Sequence, residues 1–126
     1  MEQLITFMSN ELVRLDSERL ELLYNQLGED SADNVLCRAM EELAVRVKQS
    51  EKLYGAKNTM ELRKTVNSLT AIADQVGLQA LAQVAQDVVN CIDAADSVAL
   101  SATFSRLIRC SDQSLTAIWD IEGITV

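Results

Sequence analysis

Residues 58–92 read NTMELRKTVNSLTAIADQVGLQALAQVAQDVVNCI, and this stretch decides the fold. Within it, apolar residues recur at steps of three and four, which is the spacing of one face of an α-helix. The run after Gly77 is Leu78, Leu81, Ala85, Val88 and Ile92. The run before it is Leu62, Val66, Leu69, Ala73 and Val76. The stretch therefore predicts two amphipathic helices that are joined at Gly77 almost without a loop.

The first of these helices has a recognisable signal at each end. Asn58 can cap the helix start, and Glu61 follows it at the spacing of a capping box. Gly77 can adopt the left-handed conformation that commonly ends a helix. We therefore predict one helix from Asn58 to Gly77 and a second that starts at Leu78.

The same helical period precedes this stretch. Asp30 or Ser31 can cap a helix of about 22 residues, and Gly55 is placed where a left-handed stop would end it. Its inner face is predicted to carry Leu36, Met40, Leu43, Val47 and Tyr54.

The period also continues after the stretch. Ala94-Ala95-Asp96 predicts a turn, and Asp96 or Ser97 can cap a last helix. Its inward face is predicted to carry Phe104, Leu107, Ser111, Leu115 and Ile118, up to Trp119. The tail from Glu122 to Val126 is expected to be loose.

The N-terminal part of the chain carries a further helical pattern. From Asn10 to Leu27, leucines fall mostly on three- and four-residue steps, and Gly28 ends the pattern. The apolar segment from Leu4 to Met8 forms a separate turn or helix in this interpretation, since Ser9-Asn10 can cap the helix that starts there. This segment has no clear place in a core of four helices.

Short connections between helices of this length make neighbouring helices antiparallel. We therefore predict an all-α fold, an up-down antiparallel four-helix bundle with an additional N-terminal helix, in one domain of residues 1–126. The residues expected to be buried in its core include Leu69, Leu81, Val88 and Leu107.

The charge of the chain narrows the classes of partner. The formal net charge is −8, and the 11 basic residues are scattered along the sequence. Binding to nucleic acid or to an anionic membrane surface needs clustered Lys and Arg, so neither is expected. No apolar run approaches the roughly 20 residues needed to span a bilayer. We expect a cytoplasmic protein.

The residue types present also limit the chemistry. The chain contains no histidine, so no Glu-x-x-His unit of a diiron site exists and no cysteine can recruit a histidine base. Cys37, Cys91 and Cys110 are far apart and are interpreted as buried free thiols in a reducing compartment. We expect no metal, no cofactor and no enzymatic activity.

The residues from Val66 to Leu81 carry a resemblance to a known family. They resemble the motif of histidine phosphotransfer (Hpt) domains, in which a helix carries His, Leu two residues later, Lys at plus three, Gly at plus four and Gly at plus ten. In this chain Asn67 stands at the His position, followed by Leu69, Thr70, Ala71 and Gly77 at those spacings. In helix order and spacing the resemblance extends over about residues 31–115.

The resemblance implies a domain of two-component phosphorelays that has lost its chemistry. An amide nitrogen such as that of Asn67 is delocalised and cannot replace imidazole as a nucleophile. Thr70 offers no positive charge for a phosphoryl group. Asp74 would face the acidic pocket of a response-regulator receiver, and Arg63 would offset part of that repulsion. The implied partner-binding residues are Arg63, Asn67, Thr70, Ala71 and Asp74.

Two functions are compatible with these residues. The first is a catalytically silent Hpt-like protein that binds and modulates a receiver or a histidine kinase. The alternative is a structural or oligomeric helical bundle without a phosphorelay role, because a polar strip opposite an apolar stripe is also found on any solvated helix face. The sequence leaves a homodimer open.

Overall fold

The computed structural model describes residues 17–122, with side chains described at residue 18 and from 21 to 117. Within this range all the secondary-structure elements are helices: α1 Ser17–Leu27, α2 Glu29–Gly55, α3 Thr59–Gln75, α4 Gln79–Asp93 and α5 Ser97–Glu122. The predicted all-α class is confirmed. The segment from Leu4 to Met8, the predicted helix start at Asn10, the side chains of Ile118 and Trp119 and the tail after Glu122 lie outside the described residues.

Helices α2 to α5 form a closed ring of contacts. α3 packs between α2 and α4, α4 between α3 and α5, and α5 returns to α2, while α1 packs on α2 alone. The core inside this ring is aliphatic, and Leu69, Leu81, Val88 and Leu107 are fully buried in it as predicted. Where α2 meets α5, the rings of Tyr54 and Phe104 stack with centroids 4.4 Å apart.

One type of turn connects α2 to α3, α3 to α4 and α4 to α5. In each, two backbone N–H groups reach back to carbonyls of the preceding helix, in the six-to-one and five-to-two pattern of a Schellman motif. At the middle turn Leu78 N–H donates to the carbonyl of Ala73 at 2.8 Å, and Gly77 N–H donates to that of Asp74 at 3.2 Å. The left-handed residues of the three turns are Lys57, Gly77 and Ala95. Each turn therefore needs only three residues outside the helices.

Two of the predicted helix ends are wrong. Gly55 does not provide the left-handed stop, because it is the last residue of α2 and the positive φ of 59° belongs to Lys57. Neither Asp30 nor Ser31 caps α2, which begins at Glu29 directly after Gly28 and has no side-chain cap. Gly28 has a φ of 83°, so it turns the chain between α1 and α2 without help from a cap. As a result α2 has 27 residues, more than predicted.

Two other helix starts are as predicted. The Asn58 side chain accepts a hydrogen bond from the backbone N–H of Glu61 at 3.3 Å. The Asp96 carboxylate accepts one from the backbone N–H of Ala99 at 3.0 Å. Both bonds satisfy donors at helix starts that have no partner within the helix.

Candidate functional site

The five residues predicted to bind a partner lie along α3 and form a surface that we call the α3 strip: Arg63, Asn67, Thr70, Ala71 and Asp74. Asn67, Ala71 and Asp74 are exposed, whereas Arg63 and Thr70 are half-buried. The opposite face of α3 is buried at Leu62, Val66 and Leu69. This arrangement follows from the helical period, which separates an apolar face from a polar one. Asn67 therefore stands at the middle of an accessible surface.

Arg63 is held by an acidic residue of the neighbouring helix. Its Nε donates to Oδ1 of Asp93 at 2.7 Å, and its second guanidinium nitrogen donates to Oδ2 at 3.0 Å. Asp93 is the last residue of α4, where a negative charge opposes the helix dipole. The two-point contact with Arg63 compensates for that position. Arg63 thus already has an acidic partner inside the domain, which the sequence pattern did not indicate.

The pair also shifts the protonation equilibria of both groups. The hydrogen bond from Arg63 holds the pKa of the Asp93 carboxyl below its usual value. The same hydrogen bond, together with the opposite charge, raises the pKa of Arg63. Both groups are therefore charged throughout the neutral range, and their charges largely cancel at this part of the strip.

Two hydroxyl groups of α3 are held by hydrogen bonds to neighbouring groups. The Thr70 hydroxyl donates to the carbonyl of Val66 at 3.1 Å, one turn earlier in the same helix. The Ser68 hydroxyl accepts from Nε of Arg46 on α2 at 2.7 Å. Thr70 therefore gives neither a cation nor a free donor to the strip, whereas Arg46 places a cation beside it.

The two flanks of the strip differ in charge. Between α2 and α3 lie two open clefts of about 360 and about 320 Å³, whose linings include the basic residues Arg38, Arg46 and Lys64. On the other side, α4 has the sequence QALAQVAQDVVNCID, which contains no Lys or Arg. Its exposed surface instead carries amide pairs such as Gln86 and Asn90, bonded at 3.1 Å. The cations beside the strip therefore lie on the α2 side, where the first cleft also carries the carboxylate of Glu42.

Sequence reasoning missed Asp93 and Arg46, and no local signal identifies them. They lie 30 and 22 positions from their partners, Arg63 and Ser68, and each pairing depends on which helices are neighbours. The sequence around Arg46 shows no pattern that distinguishes it from the other basic residues of α2.

The position that matches the phospho-accepting histidine carries no nucleophile. Asn67 presents an amide, which can donate and accept hydrogen bonds but is not a nucleophile. Among the described residues, no three Cys, Asp or Glu side chains lie where they could share a metal ion. Cys37, Cys91 and Cys110, all within the described residues, form no disulfide bond; Cys110 is buried and the other two are half-buried. The exposed amide of Asn67 can thus form hydrogen bonds to another molecule.

Comparison of the chain with protein-family models, curated proteins and solved structures gave no match. Over residues 17–122, no helix has the length and apolar character needed to cross a membrane.

Proposed function

We propose that this chain is a cytoplasmic, Hpt-like binding protein that takes no phosphoryl group and modulates a receiver or histidine kinase by occupying its docking face. The observation that carries the proposal is Asn67, exposed in the middle of α3 at the motif position of the phospho-accepting histidine. A partner that docks there meets the shape of a phosphotransfer helix without the nucleophile. Transfer stops at that step, and the partner is withheld from other proteins.

The arrangement of the helices supports this proposal. Closed contacts in the order α2, α3, α4, α5 and three-residue turns between them are the features that an up-down antiparallel four-helix bundle would have. Arg63 near the start of α3 meets Asp93 at the end of α4, as antiparallel neighbours would. Under this interpretation α1 is the additional N-terminal helix.

The charge distribution suggests how a partner would approach. An acidic receiver pocket would be repelled by Asp74, and Arg63 cannot offset this freely because it is bonded to Asp93. Arg46 lies on the α2 flank and is bonded to a hydroxyl, not to a carboxylate, so a partner that leans toward α2 gains a favourable contact. The positive charge that Thr70 does not supply would be replaced in part by Arg46.

Titration calorimetry against the receivers and kinases encoded in the same genome tests the proposal. We expect at least one to bind, and we expect Ala71→Arg to abolish that binding because a long side chain then blocks close approach beside Asn67. Ala102→Arg is the matched control, since Ala102 is equally exposed but lies on α5, which does not contact α3. It should bind as the parent does.

Two results would overturn the proposal. Either no receiver or kinase binds, or Ala71→Arg and Ala102→Arg bind equally well, which would place the contact away from the α3 strip. The alternative function, a helical bundle without a phosphorelay role, would then stand.

A further inference from the structure

An apolar cleft lies at one end of the helices, away from the middle of the α3 strip. It has a volume of about 510 Å³ and is lined by the end of α2 and the starts of α3 and α5: Leu53, Tyr54, Gly55, Lys57, Thr59, Leu62, Ser97 and Leu100. The end of α2 with the turn that follows it, the start of α3 and the start of α5 thus meet around one opening. We call this region, residues 53–62 and 93–100, the two-turn end.

Two strongly exposed apolar side chains directly follow lining residues of this cleft in the sequence. Met60 is 76% exposed and follows Thr59, and Val98 is 80% exposed and follows Ser97. Each is the second residue of its helix. A single exposed apolar side chain is ordinary, but two beside an apolar cleft form a surface that gains free energy when covered.

When the adjoining Arg63 and Lys64 are included, three cations and three carboxylates balance at the two-turn end. Asp93 is paired with Arg63, and Glu61 with Lys64 at 3.5 Å. Lys57 forms no ion pair with a described residue, and Asp96 carries one negative charge on the neighbouring turn. In a chain with a net charge of −8, two copies that meet at this end avoid most of their mutual repulsion.

From these features we infer that the two-turn end binds a second copy of the chain around a two-fold axis. In such a contact each surface meets itself, so that any contact made by one copy is repeated by the other. Lys57 of one copy then faces Asp96 of the other, twice. The Met60 and Val98 side chains of each copy are covered at the cleft of the other, which matches an exposed apolar pair to an apolar opening.

The contact involves two turns and the starts of two helices. It is therefore smaller than the standard interface of about 1,600 Å², and we expect a dissociation constant in the micromolar range or weaker. The association does not depend on the α3 strip, so it holds or fails independently of the proposed function.

Sedimentation of the full chain from about 10 µM to about 1 mM tests the inference, since this range spans dissociation constants of that order. We expect the average mass to rise toward two chains. The double variant Met60→Asp with Val98→Asp should associate at least about tenfold more weakly, because each copy then brings two buried carboxylates to the contact. Both changes lie in the first turn of a helix, where a negative charge is favourable, so the fold should be retained.

Val45→Asp is the matched control. Val45 is also exposed, at 63%, but lies in the middle of α2, away from the two-turn end, and this variant should associate as the parent does. A parent chain that stays monomeric throughout would overturn the inference. So would a folded double variant that associates as strongly as the parent, or loss of association in Leu4→Asp with Phe7→Asp but not in the double variant. This last result would assign self-association to the N-terminal segment.

Discussion

The α3 strip and the two-turn end are both exposed, but water solvates their side chains to different degrees. The strip presents an amide at Asn67 and a carboxylate at Asp74, which water solvates well, and only the small methyl group of Ala71 beside them. The two-turn end exposes Met60 and Val98 beside an apolar cleft, and water solvates these poorly. A polar surface is stable when exposed to water, whereas an apolar one gains free energy whenever it is covered. The chain thus has two exposed surfaces, one polar and one apolar.

The strongest test of the strip is to restore its chemistry. Asn67→His with Thr70→Lys should change the chain from one that takes no phosphoryl group to one that accepts it from a phosphorylated receiver, because nucleophile and positive charge return together. Adding Asp74→Ala should increase the yield by removing a carboxylate that repels the receiver. Transfer of radiolabelled phosphate measures the effect.

Asn90→His is the control for that gain. Asn90 is also exposed, but on α4, so a histidine there should remain unlabelled. If the folded triple variant takes up no label from receivers that label an ordinary Hpt domain, the likeness of the strip to a phosphotransfer motif carries no function.

The next largest effect separates core from surface. Leu81 is fully buried, and Leu81→Ala should lower the free energy of unfolding by about 2–5 kcal/mol through lost contacts and a cavity. Met60→Ala, at the two-turn end, should change it by less than about 0.5 kcal/mol because Met60 packs on little within its own chain. Urea denaturation at low protein concentration measures both. Equal losses would mean that Met60 belongs to the core, and the comparison of the two surfaces would fail.

A smaller effect concerns the turns. Ala95 has a φ of 55°, a conformation that costs a residue with a Cβ atom about 1–2 kcal/mol, so Ala95→Gly should raise the free energy of unfolding by about 1 kcal/mol. Gly77 lies just after the last residue of α3, at the end of that helix away from the two-turn end, and has a φ of 80°. Gly77→Ala should therefore lower the free energy of unfolding. Thermal unfolding of the two variants checks the signs. A destabilised Ala95→Gly would show that the two-turn end depends on the methyl group of Ala95.

The smallest effect tests the ion pair that links the strip to the two-turn end. Because Arg63 lowers the pKa of Asp93 in the folded state, the pair stabilises the fold above the usual carboxyl pKa of 3.8, and this contribution disappears as the pH falls through the lowered value. Arg63→Gln should therefore be slightly less stable than the parent at about pH 7 and equal to it at about pH 2. Parallel denaturation curves at the two pH values measure this. A difference that persists in acid would assign the role of Arg63 to packing.

Much of the fold is accessible from sequence because its causes are local. The helical period identified the buried residues Leu69, Leu81, Val88 and Leu107, and the caps Asn58 and Asp96 bond to groups only three positions away. The exposure of Asn67 follows from the same period. Whether Asn67 and its neighbours bind a partner stays a prediction.

Other features came only from the tertiary structure. The left-handed turn residue is Lys57 and not Gly55, because the α2–α3 turn closes with backbone bonds from Lys57 and Asn58 to Tyr54 and Leu53. The sequence favoured glycine for its intrinsic freedom, yet packing of α2 against α3 sets where the helix ends.

Periodicity and caps depend on residues within a few positions of one another, so the sequence was enough to predict the helices and their inner faces. The packing of the helices was needed to show that Arg63 is bonded to Asp93, that Arg46 reaches Ser68 and that the α2–α3 turn meets the start of α5 around one apolar cleft. These contacts join residues 22 to about 45 positions apart, so they exist only once the order and register of the helices are fixed.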